Sequence, residues 1–186
     1  MATVVPFFHR THPLSNWYPR RMFDPESGIT FATIEHWMMW HKAKLFNDES
    51  VMALLASSTD PYQAKKLGRA VKGFVESVWV ANREDIVKKG LYLKVDYCDE
   101  ALYFLLDLDP KTTRLCEASP WDRLWGVGLD AEDPRVYDPD NWKGLNLLGN
   151  LWQELLVDVH GATELSIHFN PVTLEKILSH KAKYPK

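Results

Sequence analysis

The sequence predicts an α+β fold: a predominantly helical single domain over residues 1–186 with a small antiparallel β-sheet. Three observations carry that reading. The chain has 186 residues, of which 46% are hydrophobic and 12% aromatic, enough for one ordinary core and too few for a comfortable second domain. Several segments repeat apolar residues at helical spacing. The run Asp24-Pro25-Glu26-Ser27-Gly28 lies between Met22-Phe23 and Ile29-Thr30-Phe31, which is a hairpin signal.

Taken in order, residues 5–30 are rich in Pro, Ser, Asn and Arg and read as loop with short strands. Residues 33–46 read as a helix: Thr33 is a cap, and Ile34, Trp37, Met38 and His41 share one face. Asp60, Pro61 and Gln63 form a helix start, with Gly68 expected as the stop. Helices follow over 82–96 and 99–107. Residues 112–118 alternate as a strand does. Residues 119–129, with Pro120, Gly126 and Gly128, fit neither period and read as an ordered loop, and 130–141 as an exposed connection. The last strong helix is expected over 144–158, with Leu148, Leu151, Trp152, Leu155 and Leu156 inward. A short tail helix after Asn170-Pro171 would turn Leu174, Ile177 and Leu178 inward.

The net charge of −3 and pI of about 6.2 argue against a protein that coats duplex nucleic acid through a basic face. They leave room for a small basic pocket. Cys98 and Cys116 match no zinc or redox spacing and read as reduced thiols. The opening MATVVPFFHRTHP does not read as a signal peptide, and no apolar run approaches a membrane span. A cytoplasmic location, or a nuclear one in a eukaryote, is the expectation.

No nucleotide-binding or hydrolase signature such as GxSxG, Walker A or GxGxxG occurs. His36 and His41 are five apart with Glu35 before the first, which is not the HExxH arrangement, so no metal site is expected. Four polar features remain, each with two readings. Glu35 is either a first-turn acid stabilising its helix or a functional carboxylate beside a Trp- and Met-rich run. Lys65 and Lys66, with Arg69, are either a solvated face or a source of a nucleophilic amine. The loop Ser119-Pro120-Trp121-Asp122-Arg123-Leu124-Trp125-Gly126 is either stapled by aromatic packing or a site where Trp stacks and Asp holds hydroxyls. Gly144, near the start of the last large helix, serves either a tight turn or a set of amides that suit phosphate.

These features occur together and in order, and with them the sequence resembles the NADAR, or YbiA-like, family. Pro13-Leu14-Ser15-Asn16-Trp17-Tyr18-Pro19 is similar to the family's L-S-N-aromatic-Y-P motif, and Thr33-Ile34-Glu35-His36-Trp37 to its T-x-E-H-aromatic helix start. Ala64-Lys65-Lys66-Leu67-Gly68-Arg69 resembles A-K-x-L-G-R. Residues 117–128 resemble E-x-S-P-x-D-x-x-W-G-x-G, and Trp142, Gly144, Asn146 and Gly149 resemble W-x-G-x-N-x-L-G. The resemblance spans residues 7–157 and leaves 160–186 as a C-terminal extension. Trp17 and Trp121 stand where Phe and Tyr are common, and Val95 follows Lys94 where an aromatic is usual.

The resemblance implies a YbiA-like fold and a hydrolase that cleaves an N-glycosidic bond between ribose C1 and an exocyclic amine. It implies two substrate groups: ADP-ribose on guanine, as in modified nucleic acid, and phosphoribosylamino-pyrimidine intermediates of riboflavin synthesis. Both carry a glycosylamine, whose nitrogen can open the sugar ring to an imine that a lysine could capture. On this reading Lys65 is the nucleophile and Glu35 the proton shuttle. Asp122 binds ribose hydroxyls, and Trp125 and Trp121 stack on a base. Arg69 and the amides near Gly144 hold phosphate, while Asn16, Gly126 and Asn146 complete the binding set. ADP-ribosyl-guanine is the preferred substrate. A carboxylate-assisted oxocarbenium path is the mechanistic alternative. No cofactor, membrane or obligate protein partner is expected. Two other classes stay open: a non-catalytic ADP-ribose or NAD-binding module, and an interaction protein docking through acidic residues 130–140.

Overall fold

A computed structural model of the chain describes residues 3–184. Met1 and Ala2 of the opening stretch, and Pro185 and Lys186 of the 160–186 extension, lie outside them. The chain forms two compact units, Asn16–Tyr97 and a second made of Met1–Ser15 with Cys98–Lys186.

The Asn16–Tyr97 unit is organised around helix α1 (Ile34–Leu45). Thr33 caps it by accepting from the His36 amide at 3.3 Å. Every residue from Ile34 to Trp40 is buried, the pattern of a helix enclosed by neighbours rather than one with a single apolar stripe. It packs against α2 (Glu49–Ser57), α3 (Pro61–Arg69) and α4 (Glu76–Tyr97). His41 belongs to this core. Its ring lies 4.1 Å from Trp37 and 4.9 Å from Trp40 by centroids, and burial, ahead of nearby Lys44, pushes its pKa down to about 4. The imidazole is therefore neutral at physiological pH.

Two glycines allow the helices to approach. Gly68 was expected to end α3, but it lies inside that helix, which runs on to Arg69. A methyl there would overlap Met39 Sδ, so contact with α1 is what demands glycine, and Lys42 Nζ donates to the Gly68 carbonyl at 2.8 Å. Gly90 on α4 faces Trp37, where an added Cβ would stand 2.6 Å from Cδ1. The indole cannot retreat easily, because its Nε1 donates to the Ile86 carbonyl at 2.8 Å. Gly90→Ala is therefore expected to destabilise by about 1–3 kcal/mol through overpacking, although alanine favours a helix over glycine by roughly 1 kcal/mol. Thermal denaturation tests this; a raised melting temperature would show that the helix pair has slack.

The expected hairpin is strands β1 (Met22–Asp24) and β2 (Ile29–Phe31), antiparallel with Met22 opposite Phe31. Asp24 holds the turn by accepting from the Glu26 and Ser27 amides, and Gly28 takes a φ of +72°.

In the other unit, an N-terminal strand (Thr3–Phe7) pairs with β3 (Thr113–Glu117). The pairing is parallel, so the antiparallel reading holds for the hairpin and not for this second pair. Helices α5 (Asp99–Asp107), α6 (Leu147–Gly161) and α7 (Pro171–Lys183) complete the unit. Helix α6 begins at Leu147 rather than 144, because residues 143–146 are held in a different hydrogen-bonding pattern described below. Leu148, Leu151, Trp152, Leu155 and Leu156 are all buried, and Trp152 Nε1 donates to the Leu14 carbonyl at 2.8 Å. Helix α7, capped by Asn170, is longer than the short tail helix expected.

The segment 130–141 is not simply an exposed connection. It contains two short 3₁₀ turns, Pro134–Tyr137 and Pro139–Asn141. Val136 is fully buried among Val4, Cys116, Ala118, Val127 and Leu129. Both cysteines are buried free thiols, and burial pushes Cys116 up to about 12, which removes it as a nucleophile. Among the described residues no helix is long and apolar enough to cross a membrane.

Candidate active site

Glu35 is 4% exposed, so it is not an exposed first-turn acid. Its amide donates to the Asn16 carbonyl at 3.0 Å, which ties the start of α1 to the segment before it. One of its carboxylate oxygens, Oε2, accepts from Trp17 Nε1 at 3.3 Å. Lys65, half-buried on α3, places its Nζ 5.8 Å from the centre of the same Trp17 ring, within cation–π reach. Tyr62, one turn earlier on α3, meets that ring edge-on at 4.4 Å. A single indole thus carries a carboxylate at its N–H edge and an amine at its face. Asn16 is 5% exposed, and its Oδ1 is buried with no hydrogen-bond partner among the described residues. Buried acceptors are rarely left so. Arg69, exposed and four residues beyond Lys65, lies on the same side of α3.

Sequence reasoning treated Trp17 only as a departure from a common phenylalanine, whereas the structure makes it the link between the acid and the amine. Lys94 was missed as well. It is 1% exposed, with Nζ 5.4 Å from the centre of the Tyr18 ring. The signal was legible: Val87, Leu91 and Lys94 fall at i, i+4 and i+7, which puts a lysine in an apolar stripe of α4.

In the other unit the predicted residues form one tightly bonded loop. Asp122 Oδ1 accepts from the amides of Leu124 and Trp125 at 2.9 and 2.8 Å. Its second oxygen makes no hydrogen bond among the described residues. Trp125 is enclosed at 9% exposure, while Trp121 is 85% exposed. Gly126 is packed so closely that a Cβ would stand 2.8 Å from the Glu117 carbonyl.

The residues before α6 depart from the expected phosphate site. The amides of Leu145, Asn146, Leu147 and Leu148 donate to the carbonyls of Arg123, Gly126, Leu124 and Trp125. These amides are occupied by backbone, so they are not free to hold an anion. Gly144 is required because the Arg123 Cα lies 2.8 Å from where its Cβ would be. Asn146, with a φ of +53°, accepts from the Glu117 amide and donates to the Leu115 carbonyl, both at 3.0 Å. Its side chain splices β3 to α6, a structural duty.

Comparison with known proteins identifies the class. The chain is 33% identical over 147 residues to "N-glycosidase R617" of Acanthamoeba polyphaga mimivirus, covering 77% of this chain and 85% of that protein. It is 27% identical over 162 residues to "Riboflavin biosynthesis protein PYRR, chloroplastic" of Zea mays, covering 82% of this chain and 24% of that one. The NMR structure of the Escherichia coli protein YbiA superposes with a TM-score of 0.68 at 23% identity, covering 89% of this chain and 94% of that one, so the YbiA-like fold is borne out. The N-glycosidase relatives define a hydrolase of that class. The NADAR domain model matches residues 7–157, and the chain belongs to the NADAR domain family.

Proposed function

We propose that the chain removes ADP-ribose from ADP-ribosylated guanine, cleaving the bond between ribose C1 and the exocyclic amine through a lysine Schiff base. The observation that supports this reading is the shared indole: Trp17 holds the Glu35 carboxylate at 3.3 Å and lies under the Lys65 amine at 5.8 Å. Binding an anionic ligand alone does not call for a buried carboxylate, which repels it; proton transfer does.

The steps balance as follows. The glycosylamine nitrogen pushes out the ring oxygen, which gains a proton from Glu35 in its carboxylic acid form, and a protonated imine is left at C1. The Lys65 amine adds to C1, the guanine amine departs with the proton that lysine gives up, and a protonated lysine imine remains. Water adds to that protonated imine and gives a proton back to the Glu35 carboxylate; the carbinolamine then collapses, its hydroxyl proton passing to the departing Lys65 amine, and the freed aldehyde recloses on its own hydroxyl as ADP-ribose. The net change is one water consumed per bond cleaved. Within the Asn16–Tyr97 unit, Asn16 serves a ribose hydroxyl and Arg69 a phosphate.

The maize riboflavin biosynthesis relative motivates a second reading: an N-glycosidase acting on a phosphoribosylamino-pyrimidine. One assay separates them. Purified protein is offered ADP-ribosyl-guanosine and, separately, the ribosylaminopyrimidine phosphate, with products followed by mass spectrometry. Release of free ADP-ribose is expected. Cleavage of the pyrimidine alone would transfer the reading to riboflavin chemistry, and tight ADP-ribose binding without turnover of either would make the chain a binding module.

A further inference from the structure

We infer that Trp121, Arg123 and Lys143 form a contact surface for the single-stranded nucleic acid that carries the modified guanine. The inference rests on the ADP-ribosyl-guanine reading and extends it from the nucleotide to the strand.

Trp121 is 85% exposed, an unusual state for the largest apolar side chain. The loop bearing it is not loose. The Asp122 amide donates to Ser119 Oγ, Asp122 Oδ1 accepts from two amides, and the carbonyls of residues 123–126 are all engaged by residues 145–148. A rigid mount therefore holds an indole in water with its face open. Every base has a π-face, so such a platform stacks on a strand without reading its sequence.

Arg123 and Lys143 supply the complementary charge. They pass together over Gly128, where an added Cβ would lie 3.1 Å from Arg123 Cγ and 3.2 Å from Lys143 Cβ. Neither has an ion pair or side-chain hydrogen bond among the described residues. Asp133, whose carboxyl feels Lys143, is already held by Arg135 at 2.6 Å. Two adjacent cations, Arg123 lying two residues along the chain from an open indole, match the alternation of phosphate and base along a strand. A mononucleotide enclosed in a pocket has no use for them.

The test is fluorescence anisotropy of a labelled, unmodified single strand of thymidylates, titrated at several salt concentrations. Wild type is expected to bind with an affinity that falls as salt rises. Trp121→Ala is expected to weaken binding about tenfold, with Trp121→Phe retaining most of it, since stacking is worth about 1–3 kcal/mol per base. Arg123→Ala with Lys143→Ala is expected to flatten the slope of log affinity against log salt by about two while leaving turnover of free ADP-ribosyl-guanosine unchanged. Equal strand binding by wild type and Trp121→Ala, or an unchanged slope in the double variant, would overturn the surface. Strand binding that behaves as expected, beside a failure to hydrolyse the free nucleoside, would sink the enzymatic reading and leave this one standing.

Discussion

Lys65→Arg is expected to lower turnover of ADP-ribosyl-guanosine on the order of a thousandfold or more, the scale seen when a covalent group is removed. Arginine keeps the positive charge above Trp17 but has no amine that can be neutral at working pH, so it cannot form an imine. The substitution falls on a half-buried position of α3, and the melting temperature should stay near that of wild type. Wild type treated with borohydride during turnover should acquire a covalent sugar adduct on the α3 peptide, and the variant should not. An arginine variant with wild-type turnover would exclude the lysine route in favour of the oxocarbenium path.

Glu35→Gln is expected to reduce kcat by about 10²–10⁴-fold, the usual range for losing general acid–base assistance, with a much smaller change in KM. Glutamine keeps the shape and can still accept from Trp17 Nε1 through its carbonyl, so the indole stays in place. What it loses is the ability to deliver and recover a proton. The two substitutions act on one reaction sequence, so combining them should cost little more than the worse single variant. Turnover within threefold of wild type would make Glu35 a structural partner of Trp17.

Much of this was legible in the chain because it depends on neighbours in sequence. Helix α5 was read at its observed bounds, and α1 within a residue or so, since caps and 3.6-residue periodicity are local. The hairpin followed from Asp24 and Gly28. Other features depended on residues far apart. The parallel pairing of Thr3–Phe7 with Thr113–Glu117 joins segments more than a hundred residues apart, and no local pattern chooses the partner or its direction. Gly68 looked like a helix stop because glycine commonly is one; only the presence of Met39 reveals a packing contact. The amides near Gly144 looked like an anion site because a glycine precedes a helix there, until the carbonyls of residues 123–126 filled those of residues 145–148.

By itself the sequence determined the helical α+β class, the motif order of the NADAR family, and Glu35 and Lys65 as the residues to question. Those are properties of residue type and spacing, which a single chain displays directly. Only the tertiary structure decided that Trp17 joins the acid to the amine, that the amides before α6 are occupied, and that Trp121 stands in water. The physical reason is that burial and hydrogen-bond satisfaction are settled by contacts between distant segments, and a side chain's chemistry depends on which groups those contacts leave free.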